Sequence, residues 1–299
     1  MRLIECIPNF SEGRRPEVIV AITDAISAVA GINLLDVNPD TDHNRVVVTF
    51  VGEPDEVAEA AFRGAQKAAE LIDMREHHGK HPRLGATDVV PFVPLGEATM
   101  EECIALAEKV GERIGTELGI PVYLYEKAAR TPERRNLADV RRGEYELLIQ
   151  DITKPERRPD YGPAVANLKS GGTVVGARPP LVAFNVNLNS TDLKAARAIA
   201  KAVRESGGGL PAVKALGLMI EAGNHTQISM NLVDFSVTGM HTAMEAIATE
   251  AARYGIAIMG SEIIGLLPAQ ALLDTAVHSL KLARFSTNQV LELRLGGGK

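Results

Sequence analysis

The residues best placed to do chemistry lie in one short stretch, 75–88. Three of the chain's seven histidines, His77, His78 and His81, fall within five positions there, beside Lys80 and Arg83. An imidazole titrates near neutrality, and neighbouring cations lower its proton affinity and keep it available as a base. Lys and Arg are the side chains that hold carboxylates. Together they suit an active-site loop with a histidine general acid/base and cationic anchors. A metal site is a poor alternative. His77 and His81 are four apart, a spacing that aligns ligands only on a helix, and Gly79 and Pro82 oppose a helix here. A solvated loop is the third reading, and for His77 and His78 it is the better one. For the loop as a whole, residue types alone leave the solvated and active-site readings open.

A second set of candidates is uncharged. Val182, Phe184, Val186 and Leu188 alternate with Ala183, Asn185, Asn187 and Asn189. Ile228, Met230 and Leu232 alternate in the same way with His225, Gln227, Ser229 and Asn231. Side chains two apart on a strand point the same way, so each segment presents a row of amides and hydroxyls. Solvated faces usually carry Lys, Glu and Thr; these rows suit a ligand-facing cleft.

The elements that must position these residues follow a repeated order. In the first half, strands are expected over 3–8, 32–37, 46–51 and 89–93, with helices over 16–29 and 54–72. Thr99 and Glu102 form a capping-box pattern before a helix striped by Cys103, Ala107, Val110, Ile114 and Leu118. In the second half, strands over 181–188, 213–220, 226–233 and 256–259 surround helices over 191–205 and 238–254. Both halves read βαββαβ, the split order of ferredoxin-like domains, so the fold expected is α+β with two tandem ferredoxin-like subdomains. The helices of such a subdomain lie on one face of its sheet, leaving the other for solvent, a ligand or another domain. The charged and Gly-rich region 127–178 is too long for a simple loop, and part of it is assigned to the first domain. The boundaries drawn are 1–178 for the N-terminal subdomain and 179–299 for the C-terminal one.

Composition narrows the function classes. With 299 residues, 45% hydrophobic and 23% charged, the chain is globular. A formal net charge of −6 argues against a general nucleic-acid surface. Cys6 and Cys103 read as small buried hydrophobes rather than a disulfide framework. The opening residues lack a signal-peptide pattern and no apolar run is long enough to span a bilayer, so a cytoplasmic location without a membrane partner is expected.

At the histidine loop the sequence becomes familiar. The run His78-Gly79-Lys80-His81-Pro82-Arg83-Leu84-Gly85-Ala86-Thr87-Asp88 and the residues through Pro94 resemble the signature loop of glutamate formimidoyltransferases. The opening Asn9-Phe10-Ser11-Glu12-Gly13, Asn44-Arg45, Gly176-Ala177-Arg178, Ala183-Phe184-Asn185-Val186-Asn187 and Gly260-Ser261-Glu262-Ile263-Ile264 are similar to that family too. The resemblance covers essentially the whole chain. It implies transfer of a formimino group from N-formimino-L-glutamate to tetrahydrofolate as co-substrate, without a metal. It also implies a ligand tunnel between the two subdomains, a homodimer, and a separate cyclodeaminase to consume the product.

The family's catalytic histidine matches His81. Its folate segment falls on Gly162, Pro163, Ala164, Val165, Ala166, Asn167, Leu168, Lys169, Ser170 and Gly171, followed by Arg178. The segment lacks the family's Trp, and Asn38 stands where mammalian bifunctional members carry Asp, with Asp40 and Asp42 nearby. Arg45, Lys80 and Arg83 are the further candidates for carboxylates, and Asn185, Asn187 and Gln227 for the pterin edge or the amidine. Formyl transfer, or folate binding without turnover, are the alternative functions.

Overall fold

A computed structural model describes residues 2–79, 81–220 and 223–296. The chain divides into two compact units, Met1–Pro179 and Pro180–Lys299.

In the first unit, β1 (Arg2–Cys6) and β2 (Asn9–Phe10) act as one interrupted strand. Both pair antiparallel with β4 (Arg45–Gly52) on one side and β5 (Thr87–Gly96) on the other. The strand β3 (Asn33–Asp40) completes that edge against β4. The helices α1 (Pro16–Ser27) and α2 (Pro54–Leu71) supply the crossovers, each with Pro in its first turn, where the missing N–H costs nothing. This is the ferredoxin-like arrangement. It is extended by α3 (Met100–Glu117), whose Thr99–Glu102 capping box is formed, and by β6 (Val122–Glu126). After α4 (Leu137–Val140) and α5 (Glu144–Asp151), β7 (Thr173–Ala177) inserts parallel between β5 and β6.

The core of this unit lies between α1–α3 and one sheet face: Ile4, Cys6, Val46, Val48, Val90 and Phe92 meet Ile22, Ala61, Ala65, Cys103, Ala107 and Ile114. Alternation sends Glu5, Arg45, Tyr125 and Arg178 to the opposite face. Part of that face is covered by Val140, Leu148 and Ile152, packed on Val89, Tyr123, Tyr125 and Val174.

The second unit is a four-stranded antiparallel sheet. Its order is β11 (Ile258–Ile264), β8 (Val182–Leu188), β10 (His225–Leu232), β9 (Val213–Ile220). The helices α6 (Leu193–Val203) and α7 (Met240–Ala252) pack Ala196, Ile199, Ala243 and Ile247 on Phe184, Val186, Ile228 and Met230. Two further helices, α8 (Ala269–Leu280) and α9 (Leu291–Gly296), follow. The α+β class and the ferredoxin-like reading of both halves therefore stand.

Four strands differ most from expectation. The strand expected over 89–93 runs from Thr87 to Gly96, through Pro91 and Pro94. The strands β6 and β7 lie in stretches where the sequence pattern suggested none. The last strand begins later than expected and continues to Ile264, five residues past the predicted end at 259.

Candidate active site

Three separate segments converge on His81. The turn between β3 and β4 carries Asn44, whose Oδ1 accepts from the Gly13 amide at 3.0 Å and whose Nδ2 donates to the His78 carbonyl at 3.1 Å. Gly79 passes so close to this turn that a Cβ there would lie 2.2 Å from the His43 carbonyl oxygen, so no other residue fits. Ser11 donates from its hydroxyl to the Gly85 carbonyl at 2.7 Å. The opening motif, Asn44-Arg45 and the histidine loop are thus one assembly.

The partly buried His81 accepts a hydrogen bond at Nε2 from Arg45 Nη1, 2.6 Å away, which leaves its proton on Nδ1. The His43 ring stands edge-on at 6.2 Å between centroids, with its own Nδ1 donating to Asp40 at 2.6 Å. Arg141, at the end of α4, pairs with buried Asp88, which also accepts from the Leu84 amide at 2.9 Å. Burial, followed by the positive charge of Arg45 and Arg141, pushes the His81 imidazole down to about 2. Burial, followed by the charge of Arg141, also lowers Arg45. The arrangement holds a neutral imidazole against a guanidinium, which is a group that binds anions.

The other predicted residues separate into distinct places. Lys80 lies outside the described residues. Arg83 is buried; it pairs with Glu144 at 2.9 Å and Glu146 at 2.6 Å, and its Nε donates to His77 Nδ1 at 3.3 Å. Two glutamates of the same unit thus already pair with the guanidinium expected for a substrate carboxylate, and the pairs fasten the loop to α5. The reading of His77 is corrected. It is buried rather than solvated, donates from Nε2 to the Asn44 carbonyl at 2.9 Å, and is held below its ordinary value by burial. His78 is exposed, as expected of a solvated residue.

The segment from Gly162 to Gly171 is an irregular loop with Val165 66% and Leu168 51% exposed. Pro163 and Ala164 are exposed as well, and Ala166 is partly buried. Asn167 shapes its end, accepting the Ser170 amide at 2.9 Å and, through its carbonyl, the Gly171 amide at 2.7 Å. Lys169 donates to the Glu70 carbonyl at 2.8 Å. The loop then docks on the histidine loop, where the Ala86 amide donates to Ser170 and the Gly172 amide to Leu84. The two backbones are so close at Gly85 that a Cβ would sit 2.3 Å from the Ser170 oxygen and 2.4 Å from that of Gly172. Arg178 hydrogen-bonds the Pro179 carbonyl at 3.0 Å, and its charge opposes the burial that raises Glu5 and Tyr125.

In the second unit Asn185, Asn187 and Gln227 form one cluster on adjacent strands, and its centre is Glu262. Its Oε1 accepts from Asn185 Nδ2 at 3.2 Å and from Gln227 Nε2 at 2.8 Å, and Gln227 also donates to Asn187 Oδ1 at 2.8 Å. Glu262 also lines a pocket of about 490 Å³ with Phe184, His241, Met244, Ile263 and His278. The sequence reading missed this carboxylate because it ended the last strand at 259; the alternation of β8 and β10, continued onto a third strand, was the signal that could have found it.

The two halves match the two parts of one family. Residues 3–178 match the formiminotransferase domain, N-terminal subdomain, and residues 183–293 the formiminotransferase domain. The chain belongs to the formiminotransferase family. It is 46% identical to the glutamate formimidoyltransferase of Streptococcus pyogenes serotype M1 over 99% of each chain. It is also 46% identical to the one from Thermoplasma acidophilum, over 99% of this chain and 98% of that protein. Against the formimidoyltransferase-cyclodeaminase of Sus scrofa it is 47% identical over 92% of this chain, which spans 52% of that longer protein. No described helix is long and apolar enough to cross a membrane.

Proposed function

We propose that the chain transfers the formimino group of N-formimino-L-glutamate to tetrahydrofolate, with His81 as general acid/base. The observation that carries the reading is the neutral imidazole of His81 against Arg45, in a chain matched end to end by glutamate formimidoyltransferases. Tetrahydrofolate supplies the accepting nitrogen. His81 takes the proton that this nitrogen loses and returns one to the departing glutamate amine, a double role that one imidazole can fill when it starts neutral. Arg45 holds a donor carboxylate. Arg178, which forms no salt bridge among the described residues, holds a second one or the folate tail.

The apolar side chains of Val165 and Leu168 stand open beside the histidine loop and fit the flat face of a folate even without a Trp. Asn185, Asn187, Gln227 and Glu262 present acceptors for the N–H edge of the pterin. The exposed leucines 272, 280 and 291 of the C-terminal helices support the homodimer that the resemblance implies. A separate cyclodeaminase consumes the product in this reading, by analogy with the fused relative.

The test is glutamate release from formimino-glutamate, with and without tetrahydrofolate, in wild type and His81→Ala. Release should depend on tetrahydrofolate and fall by about 10²- to 10⁴-fold in the folded variant. No release from folded wild type, with release from the formyl donor instead, would replace the formimino assignment by formyl transfer. Unchanged release in the variant would remove His81 from the chemistry.

A further inference from the structure

Arg45 is an unusual neighbour for a general base. Its Nη1 occupies the Nε2 lone pair of His81, the atom that would accept a proton. The carboxylates nearest to it are engaged elsewhere, Asp88 by Arg141 and Asp40 by His43. Its Nε is buried without a hydrogen-bond partner among the described residues. A guanidinium prefers two parallel bonds to a carboxylate, so an imidazole on one arm and nothing on the Nε is an incomplete site. A buried donor left unpaired is costly, and an arriving anion would recover that cost.

The groups facing His81 are Arg45 from β4, Arg141 from the end of α4 and His43 from the β3–β4 turn, with Asp88 and Asp40 behind the last two. While Arg45 touches the ring, protonating His81 would place two cations in contact. A carboxylate that takes over the guanidinium removes both obstacles, because it draws the N–H off Nε2 and screens the charge.

We propose that Arg45 is a positioning residue that couples donor binding to proton transfer: it caps His81 in the free protein and releases it when a donor carboxylate takes the guanidinium. One N–H···N bond is exchanged for N–H···O bonds, and no proton moves until His81 acts. The identity of the donor rests on the formimino-transfer reading; the coupling between an anion at Arg45 and the state of His81 does not. Substrates lacking the carboxylate would thus meet a capped base, which makes the contact a specificity device as well.

The experiment is an NMR titration of the His81 ring in the full chain, with and without N-acetyl-L-glutamate, which has both carboxylates but no transferable one-carbon group. Free wild type should show no protonation of His81 down to about pH 5, and the saturated complex a midpoint raised at least about tenfold in proton affinity. Arg45→Gln should titrate higher than wild type when free, ignore the analogue, and raise the donor KM about tenfold or more. Arg45→Lys should recover donor binding in part. An identical His81 titration with the analogue bound, or failure of the analogue to bind wild type, overturns the proposal. If Arg45→Gln melts early, the two wild-type titrations decide alone. The transfer assay is judged separately: absent turnover sinks the formimino reading even if His81 responds, and an unresponsive His81 sinks the coupling even if turnover is intact.

Discussion

The two units put the same fold to opposite chemical use. In the N-terminal unit the residues grouped around His81 are charged or titratable: Arg45, Arg141, Asp88, His43 and Asp40. In the C-terminal unit the equivalent concentration of polarity is three amides around one carboxylate, Glu262. The first also depends on long insertions, since the histidine loop, α4 and the 162–171 segment all lie outside the βαββαβ frame. The second is built from side chains of the strands themselves. The frame is a platform, and what is grafted on it decides whether ionisable groups or amides gather there.

The sharpest way to break this contrast is at the loop contact. Gly85→Ala drives a Cβ into two backbone oxygens, so urea melts should show a loss of about 3 kcal/mol and transfer should collapse with it. Gly260→Ala in the second unit meets nothing within 4 Å and should stay within about 1 kcal/mol of wild type. Equal losses would show that the grafted loops are no more constrained than the frame.

Acid should separate the units next. His81 and His77 have folded-state values below the ordinary 6.5, so the unfolded chain binds more protons as pH falls through 6.5. Their stabilising contribution is therefore complete above about pH 7 and declines on acidification. From His81 alone the decline amounts to as much as about 2 kcal/mol between pH 6.5 and 5. Denaturant midpoints should fall over that window in wild type and fall less in His81→Gln; parallel curves would mean that the imidazole is solvated after all.

The smallest effect is expected at the recognition surface. Glu262→Gln keeps the shape and removes the charge, so the KM for tetrahydrofolate should rise about tenfold, with kcat and the donor KM little changed. A rise in the donor KM instead would move the amide cluster from the pterin to the formimino group.

Much of this was legible in the sequence where one periodicity ran undisturbed. The alternation of Phe184 and Val186 with Asn185 and Asn187 gave both the strand and its polar face, and Thr99 with Glu102 gave the start of α3. Reading failed where a residue type contradicted its own element. Pro91 and Pro94 shortened the expected β5, because a proline in a central strand removes a ladder donor; here Pro91 still contributes its carbonyl, to the Ile7 amide. The residues of β7 are all buried, so no alternation marked them. Arg83 and His77 were legible as polar but not as buried, since their partners Glu144, Glu146 and Asn44 are distant in sequence. Arg45 was legible as a cation, and its contact with His81 was not.

The place of β7 has a consequence for how the chain is made. It is the last strand of its unit to leave the ribosome, yet it belongs in the interior of the sheet, with β5 on one side and β6 on the other. Until it arrives, both neighbours present open edges, and the 162–171 loop has no anchor beside Gly85. Its pairings span long separations and are parallel, the slow kind to form. In the C-terminal unit the last strand, β11, lands at an edge instead, and all the pairings are antiparallel, with β9 and β10 joined directly. The N-terminal unit therefore matures slowly and is the half more exposed to misassembly, and its 162–171 loop closes only when that final strand slides home.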